Sequence, residues 1–238
     1  MAKKVAPAYE SREVIYNKTH WELLDHLRSK ALSVMSALYK HGLEARVHGS
    51  VARGDVNSKS DIDIILPETA ESFIIEEALR KSGFSIECRE VSQATPVHTV
   101  KATIYIDQTL KVTFPLIPLR GKEREFYKFG GEVGISEIGA RLRVPGIDKR
   151  LMLIVPTDYG HMERSVLSYE AEAARIVGVS LEVVLERVRV LTRRDQIGRT
   201  GIFFKRALQE DETFEGVLSD RLSKDPSLRR LLQQRCKR

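Results

Sequence analysis

The sequence predicts an α/β (α+β) fold, in which helices pack on a small sheet. Apolar residues recur at helical intervals from Leu24 to Leu38, which indicates an amphipathic helix. Apolar and polar residues instead alternate along three later runs, at 84–91, 99–106 and 111–117, which favours antiparallel strands with one covered face. A short apolar run from Ile62 to Leu66 adds a further strand. Both periodicities in one chain place it in the mixed class.

The two predicted helices are bounded by recognisable end residues. Thr19 and Glu22 have the spacing of a capping box at the start of the first helix, and Gly42 is the expected stop. A second helix is expected between Pro67 and Gly83, with Phe73 among the residues turned inward. We expect the first helix to pack on the sheet.

The composition is that of a globular protein. The chain has 238 residues, of which 42% are hydrophobic and 30% are charged, enough for one large or two small domains with real cores. No apolar run approaches the roughly 18 residues that span a bilayer, and the first residues lack the apolar centre of a signal peptide. We therefore expect a cytoplasmic protein with no membrane partner. The spacing of Cys88 and Cys236 indicates neither a zinc site nor a disulfide framework.

The net charge of +6 is unevenly distributed along the chain. Residues 1–118 contain 15 Lys and Arg against 15 Asp and Glu, which leaves 24 against 18 for residues 119–238. All of the excess therefore lies in the second half, which suggests that this half meets a polyanion. We predict a first domain over residues 1–118 and a basic, mainly helical domain over residues 119–238.

The most informative stretch is GSVARGDVNSKSDIDIIL, from Gly49 to Leu66. Side chains two apart on a strand point to the same face, so Asp61 and Asp63 project together. Two ionised carboxylates held side by side repel each other unless a cation sits between them, and hard oxygen ligands of this kind suit Mg²⁺. The pair is therefore a candidate metal and catalytic site.

A Gly-Ser turn precedes this pair in the same stretch. Gly49 has no Cβ, and the free amide groups of Gly49 and Ser50 allow a phosphate to approach the backbone. Arg53 and Lys59 add positive charge to the connecting loop. Together with the aspartates, these residues predict a site for a triphosphate and metal ions, and hence phosphoryl or nucleotidyl transfer.

At these residues the sequence resembles the nucleotidyltransferase superfamily, which includes DNA polymerase beta, CCA-adding enzymes, poly(A) polymerases and the minimal nucleotidyltransferases. GSxARG followed by SDID is similar to the minimal type, and the resemblance covers about residues 20–118. It implies a small mixed sheet with helices on one side. It also implies that the Gly-Ser turn holds a nucleoside triphosphate such as ATP, and that Asp61 and Asp63 bind two Mg²⁺ ions.

The sequence departs from this family at a third carboxylate, which members usually carry on a later strand to bind a metal or activate the attacking hydroxyl. On the strand near 111–115, that place is taken by Val112 or Thr113, which do not ionise. Asp107 is the nearest acid and the candidate for the third catalytic carboxylate. The alternative for Asp107 is a structural role in its own turn.

The second half contains a pattern that resembles a helix-turn-helix at about residues 170–194, with a tight turn at Gly178 and an N-cap at Ser180. An ordinary packed hairpin is the alternative. The segment from Arg187 to Arg206 has seven basic residues and one acid, as phosphate neutralisation requires. The predicted nucleic-acid-binding residues are Arg187, Arg189, Arg193, Arg194 and Arg199.

These observations favour an enzyme that transfers a nucleoside monophosphate from a nucleoside triphosphate to a hydroxyl, with Mg²⁺. The basic half makes a nucleic acid the expected acceptor, with RNA favoured. Two alternatives stay open: a catalytically impaired module that binds nucleotide or nucleic acid, and an enzyme that modifies a protein or a small molecule.

Overall fold

The computed structural model describes Val5, residues 11–198 and residues 201–236. Helices and strands alternate along the described chain, which confirms the predicted α/β (α+β) class. The helices are α1 (Lys18–Tyr39), α2 (Ser50–Arg53), α3 (Ser72–Lys81), α4 (Gly121–Phe129), α5 (Ile135–Gly139), α6 (Glu170–Val177), α7 (Leu181–Ile197), α8 (Phe214–Lys224) and α9 (Pro226–Cys236). The strands are β1 (Arg12–Ile15), β2 (Arg46–His48), β3 (Ile62–Ile65), β4 (Cys88–Gln93), β5 (Val100–Tyr105), β6 (Leu110–Pro115), β7 (Glu132–Val133), β8 (Gly146–Ile147), β9 (Met152–Thr157), β10 (Gly160–Ser165) and β11 (Phe204–Ala207).

The chain divides into two compact units, each assembled from segments that are far apart in sequence. The first unit comprises Met1–Leu32, Val47–Ile62 and Arg124–Thr200, and the second comprises Ser33–Arg46, Asp63–Glu123 and Gly201–Arg238. The predicted division of the chain at residue 118 remains a prediction. Residues from 119 onward contain more helix than strand, although β7 to β11 also lie there.

The first unit contains a four-stranded antiparallel sheet in the order β1-β10-β9-β8. Short strand β2 pairs antiparallel with β7 through Val47 and Val133. The main apolar core of this unit lies between strands β8 and β9 and the helix pair α6–α7, and Phe129, Leu151, Leu153, Val184 and Leu191 are among its buried members. Burial of these side chains fixes the helix pair on the sheet.

The second unit contains strands in the order β11-β4-β5-β6-β3, and the pairs β11–β4, β4–β5 and β5–β6 are antiparallel. Alternate residues of β5 and β6 face a core that includes the fully buried Ile104 and Phe114. Phe214 of α8 packs edge-on against Phe114, at 5.4 Å between ring centroids. The opposite face of these strands is polar and carries Asp63, Lys111 and Thr113.

Two details of the helices differ from their sequence predictions. Helix α1 begins at Lys18, because the Asn17 side chain accepts a hydrogen bond from the His20 amide at 2.9 Å; Thr19 therefore lies inside the first turn. Phe73 of α3 is 64% exposed rather than turned inward. Within the described residues, no helix is both long enough and apolar enough to cross a membrane.

Candidate active site

Gly49 connects β2 to the short helix α2 and has φ 84°, a left-handed conformation that favours glycine. Its amide donates to the Gly131 carbonyl at 2.9 Å, which fixes the turn within the first unit. A Cβ built on Gly49 would meet no atom within 4 Å. The turn therefore requires glycine for its backbone angle, and the space above its Cα is open.

Ser50 ties this turn to the end of the loop that leads into the aspartate pair. Its hydroxyl donates to Ser60 Oγ at 3.3 Å. Ser60 Oγ also accepts from the Asn57 amide at 2.9 Å, and the Asn57 side chain in turn accepts from the Lys59 amide at 2.9 Å. The turn and the residue before Asp61 are therefore held together by hydrogen bonds. The Lys59 side chain is exposed on this loop.

Arg53, predicted as a nucleotide-binding residue, is only 5% exposed. Its guanidinium makes two parallel hydrogen bonds to the Asp55 carboxylate, both of 2.9 Å, and a third bond to the Gly130 carbonyl at 2.6 Å. This paired, buried geometry neutralises the charge of Arg53 inside the first unit. These contacts favour a structural role for Arg53 over the predicted phosphate contact.

Asp61 is exposed, and Asp63 on β3 is half-buried. Lys111 of β6 forms an ion pair with Asp63, with 2.8 Å between Lys111 Nζ and Asp63 Oδ1, and both side chains are 29% exposed. Sequence reasoning missed this lysine. The period of two along β6 places Lys111 on the same face as Thr113, and this alternation was the available indication.

The position expected for the third carboxylate is polar but not acidic. Thr113 shares a hydrogen bond of 3.3 Å with Thr103 across the β5–β6 pair, and its carbonyl accepts from the Leu66 amide. Asp107 lies in the turn between these strands, where its Oδ1 accepts from the amides of Thr109 and Leu110 at 2.7 and 2.9 Å. This is the structural turn role that was the alternative for Asp107.

The motif offers side-chain ligands for a divalent metal ion. Asp61 and Asp63 supply carboxylate oxygens, the ligands that Mg²⁺ prefers. The described part of the chain holds no group of three or more His, Cys, Asp or Glu side chains placed to bind one metal ion. The two aspartates therefore fit Mg²⁺ by ligand type, without a third protein carboxylate.

Comparison with protein families gives an independent result for this part of the chain. Residues 28–115 match the model of the family described as Nucleotidyltransferase domain. Residues 28–115 are therefore similar to a nucleotidyltransferase domain, which supports the nucleotidyltransferase superfamily for this part of the chain. The match spans the Gly-Ser turn, both aspartates and Lys111, which confirms the resemblance found in the sequence. Neither curated proteins nor solved structures gave a match to the chain.

The predicted helix-turn-helix segment forms helices α6 and α7. Gly178 ends α6 with φ 72°, and Ser180 caps α7 by accepting a bond from the Val183 amide. Arg187 packs over the Phe126 ring at 5.0 Å, and burial lowers its pKa to about 10, with Arg194 adding to the effect. Arg187 therefore belongs to the packed side of α7. The predicted contacts Arg189, Arg193 and Arg194 are exposed on α7, and Arg199 lies outside the described residues.

A buried polar cluster in the first unit was also missed from the sequence. Tyr16 and His161 share a hydrogen bond of 2.6 Å, and the His20 ring stacks on Tyr16 at 3.6 Å. Burial raises the pKa of Tyr16 and lowers the pKa of His161. Tyr16 and His20 are close in sequence, but His161 lies 145 positions after Tyr16, so no spacing rule links it to them.

Proposed function

We propose that this nucleotidyltransferase domain transfers a nucleoside monophosphate from a nucleoside triphosphate to a hydroxyl group, with Mg²⁺, and that the acceptor is a nucleic acid, with RNA favoured. One observation carries the proposal. The hydrogen bond between Ser50 and Ser60 holds the Gly-Ser turn beside the start of the aspartate motif. Triphosphate and metal ligands must lie close together for nucleotidyl transfer, and this bond supports such an arrangement.

Each residue of the motif has a distinct role in the proposal. The Gly49 amide is occupied by the Gly131 carbonyl, so the Ser50 amide, beside the open space above Gly49, holds the triphosphate. Asp61 and Asp63 hold the metal. Bound Mg²⁺ supplies Lewis-acid polarisation of the phosphate and neutralises charge on the leaving group. Lys111 pairs with the Asp63 carboxylate, competes with the metal for it and adds one positive charge beside it. With two protein carboxylates, the motif suits one ion better than the two that the resemblance implies.

Exposed arginines on α7 support a nucleic-acid acceptor. Arg189, Arg193 and Arg194 lie on its second half, where a polyanion would gain from counterion release. The first half of α7 instead exposes Glu182 and Glu186. A recognition helix contacts bases through its N-terminal residues. We therefore propose contact with the phosphate backbone at the arginine end of α7, without base readout by its first turns.

The proposal is tested by incubating the purified chain with each labelled nucleoside triphosphate, Mg²⁺ and a mixture of short RNAs. We expect label on RNA together with release of pyrophosphate. The variant with both Asp61→Ala and Asp63→Ala serves as the control and should give neither product. Label on the protein itself, or on no acceptor at all, would contradict the nucleic-acid acceptor.

A second candidate function is a binding module without turnover. It is favoured by the Lys111–Asp63 ion pair and by Thr113 at the position expected for the third carboxylate. For this function, calorimetry would detect binding of a nucleoside triphosphate, while no pyrophosphate would form with any acceptor. The two measurements together separate an enzyme from a sensor.

A further inference from the structure

A pocket of about 220 Å³ lies within the first unit, beside the first half of helix α1. Its lining combines three arginines with one acid, one aromatic ring and one aliphatic side chain. The lining residues are Trp21, Leu24, Asp25, Arg28, Arg141 and Arg143. Half of the side chains around this small volume are therefore positively charged.

Arg28 brings a buried charge to the pocket and, within the described residues, forms no ion pair with a carboxylate. It is 6% exposed, and its guanidinium donates to the carbonyls of Val51 and Ala52 at 3.0 and 3.1 Å, and to the Leu142 carbonyl at 2.6 Å. These carbonyls accept from Nε and Nη2 but do not neutralise the charge. Burial, with the nearby charge of Arg143, lowers the pKa of Arg28 to about 10 despite the opposing effect of the Asp25 carboxylate, so the side chain is still charged at neutral pH.

Arg143, a second arginine of the lining, also donates to backbone carbonyls. It donates to the Gly160 carbonyl at 2.8 Å and to the Thr157 carbonyl, and its guanidinium lies 4.8 Å from the centre of the Trp21 ring. Gly54 makes room for it, since a Cβ on this glycine would lie 2.6 Å from Arg143 Cδ. Among the described residues, no carboxylate lies within ion-pair distance of Arg143.

Arg141 lies at the open side of the pocket, where it is exposed and 3.7 Å from the Asp25 carboxylate. Its φ of 58° is left-handed, a conformation that costs free energy for a non-glycine residue. Asp25 is the single acid of the lining. Three positive charges against one negative charge leave the pocket with an excess of two.

We infer that this pocket binds a phosphate group, separately from the Gly-Ser and aspartate site. Planar guanidinium groups match phosphate oxygens in geometry and charge, and an anion would balance the excess positive charge. The volume lies below the range of about 300–1,000 Å³ typical of drug-sized ligands. It therefore suits one phosphate with a small attached group against Trp21 and Leu24, from a free nucleotide or from a polynucleotide end.

The pocket and the motif both involve the short helix α2 but use different groups. Arg28 donates to the carbonyls of Val51 and Ala52, whereas Gly49 and Ser50 form the start of the helix. None of the lining residues belongs to the Gly-Ser and aspartate motif, so phosphate binding in the pocket can be measured without the proposed transfer reaction. The two assignments can fail independently.

The single tryptophan of the chain, Trp21, lines the pocket and reports on its occupancy. We would titrate the full chain with inorganic phosphate at constant ionic strength, without nucleotide or Mg²⁺, and follow tryptophan fluorescence. We expect a saturable change. Arg141→Ala should weaken binding about tenfold, since it removes one charge-assisted contact. Asp25→Asn should tighten binding about threefold, because it removes the only acid of the lining.

Arg175→Ala is the matched control, because Arg175 is an exposed arginine of the same unit outside the pocket. It should bind phosphate like the unmodified chain, as should the variant with Asp61→Ala and Asp63→Ala. The inference is overturned if fluorescence does not saturate, or if Arg141→Ala and Arg175→Ala give the same midpoint. Competition then identifies the source of the phosphate: stronger displacement by a mononucleotide favours a free nucleotide, and stronger displacement by a dinucleotide favours a polynucleotide.

Discussion

Arg53 and Arg28 are almost equally buried, at 5% and 6% exposure, but only the charge of Arg53 is neutralised by an ion pair. Arg53 belongs to the GSxARG motif and is paired with the Asp55 carboxylate. Arg28 belongs to no recognised motif; in the described part of the chain it donates only to carbonyl oxygens, and the Asp25 carboxylate acts on it without an ion pair. The motif arginine therefore has little charge left for a ligand, whereas the pocket arginine retains its charge.

This difference shows that the position of an arginine in a motif does not establish that it binds phosphate. An ion pair inside the protein removes a side chain from ligand binding even when the family motif contains it. A buried guanidinium that forms no ion pair, in a pocket with more arginines than acids, instead favours an anion from solution. We therefore expect nucleotidyl transfer at the motif and anion binding in the pocket. Each of these two expectations can be tested separately.

The largest effect is expected at the aspartates of the motif. Asp61→Ala or Asp63→Ala should lower nucleotidyl transfer by about 10³-fold, because each removes a metal ligand. Thermal unfolding should remain cooperative in both variants. Glu68→Ala, which alters an exposed acid just beyond β3, is the control for transfer. Normal turnover in either aspartate variant would show that the motif is not the site of nucleotidyl transfer.

The next largest effect is a difference in unfolding free energy between variants of the two buried arginines. Arg53→Met should cost about 3–5 kcal/mol of unfolding free energy, because it leaves the Asp55 carboxylate buried without a partner. Arg28→Met should cost less, about 1–3 kcal/mol, because it leaves only neutral carbonyls unpaired. Urea unfolding of both variants gives the ranking. An Arg28→Met variant that is less stable than Arg53→Met would break the comparison.

A smaller effect is expected at the ion pair beside the motif. Lys111→Met should raise the affinity of the protein for Mg²⁺ about threefold, since a half-exposed ammonium no longer competes for the Asp63 carboxylate. Isothermal titration with Mg²⁺ measures this without any turnover. Lys224→Met changes an exposed lysine of α8 and should leave Mg²⁺ binding unchanged. Weaker Mg²⁺ binding in Lys111→Met would show that the lysine organises the site.

The smallest effect concerns the dependence of stability on pH in the first unit. Burial lowers the pKa of His161 below its usual range, although several charged groups act on it, namely Asp55, Glu163, Arg150 and His20. The unfolded chain therefore binds a proton more readily, and unfolding free energy should fall as pH drops below about 6.5. His161→Gln should flatten this slope relative to exposed His26→Gln. An unchanged slope would show that His161 is not the responsible group.

The local parts of the fold could be predicted from the sequence because their causes are local. The antiparallel strands β4, β5 and β6 follow from alternation, and the hairpin α6–α7 follows from Gly178 and Ser180. The start of α1 was misplaced because Asn17 and Thr19 are both good capping residues and lie only two positions apart. Phe73 was misassigned because periodicity identifies an apolar position but not what covers it.

The candidate site was predicted only where its residues are close in sequence. Gly49, Ser50, Asp61 and Asp63 fall in one short stretch, so spacing alone brings them together. Lys111 reaches Asp63 through a strand pairing that the sequence does not reveal. The three arginines of the pocket come from α1 and from a segment more than 100 residues later, so only the folded chain shows their shared charge.

Gly54 has a consequence for how mutational data on this chain would be interpreted. A side chain at this position would collide with Arg143, and the backbone has φ 105°, which only glycine adopts readily. In a saturation scan, Gly54 would therefore score as intolerant, alongside the aspartates, and its place in GSxARG would suggest a catalytic glycine. The substitutions would instead fail partly because they take the space that Arg143 occupies in the pocket. Gly54 is therefore a residue of the motif that is needed to leave space for Arg143 of the pocket.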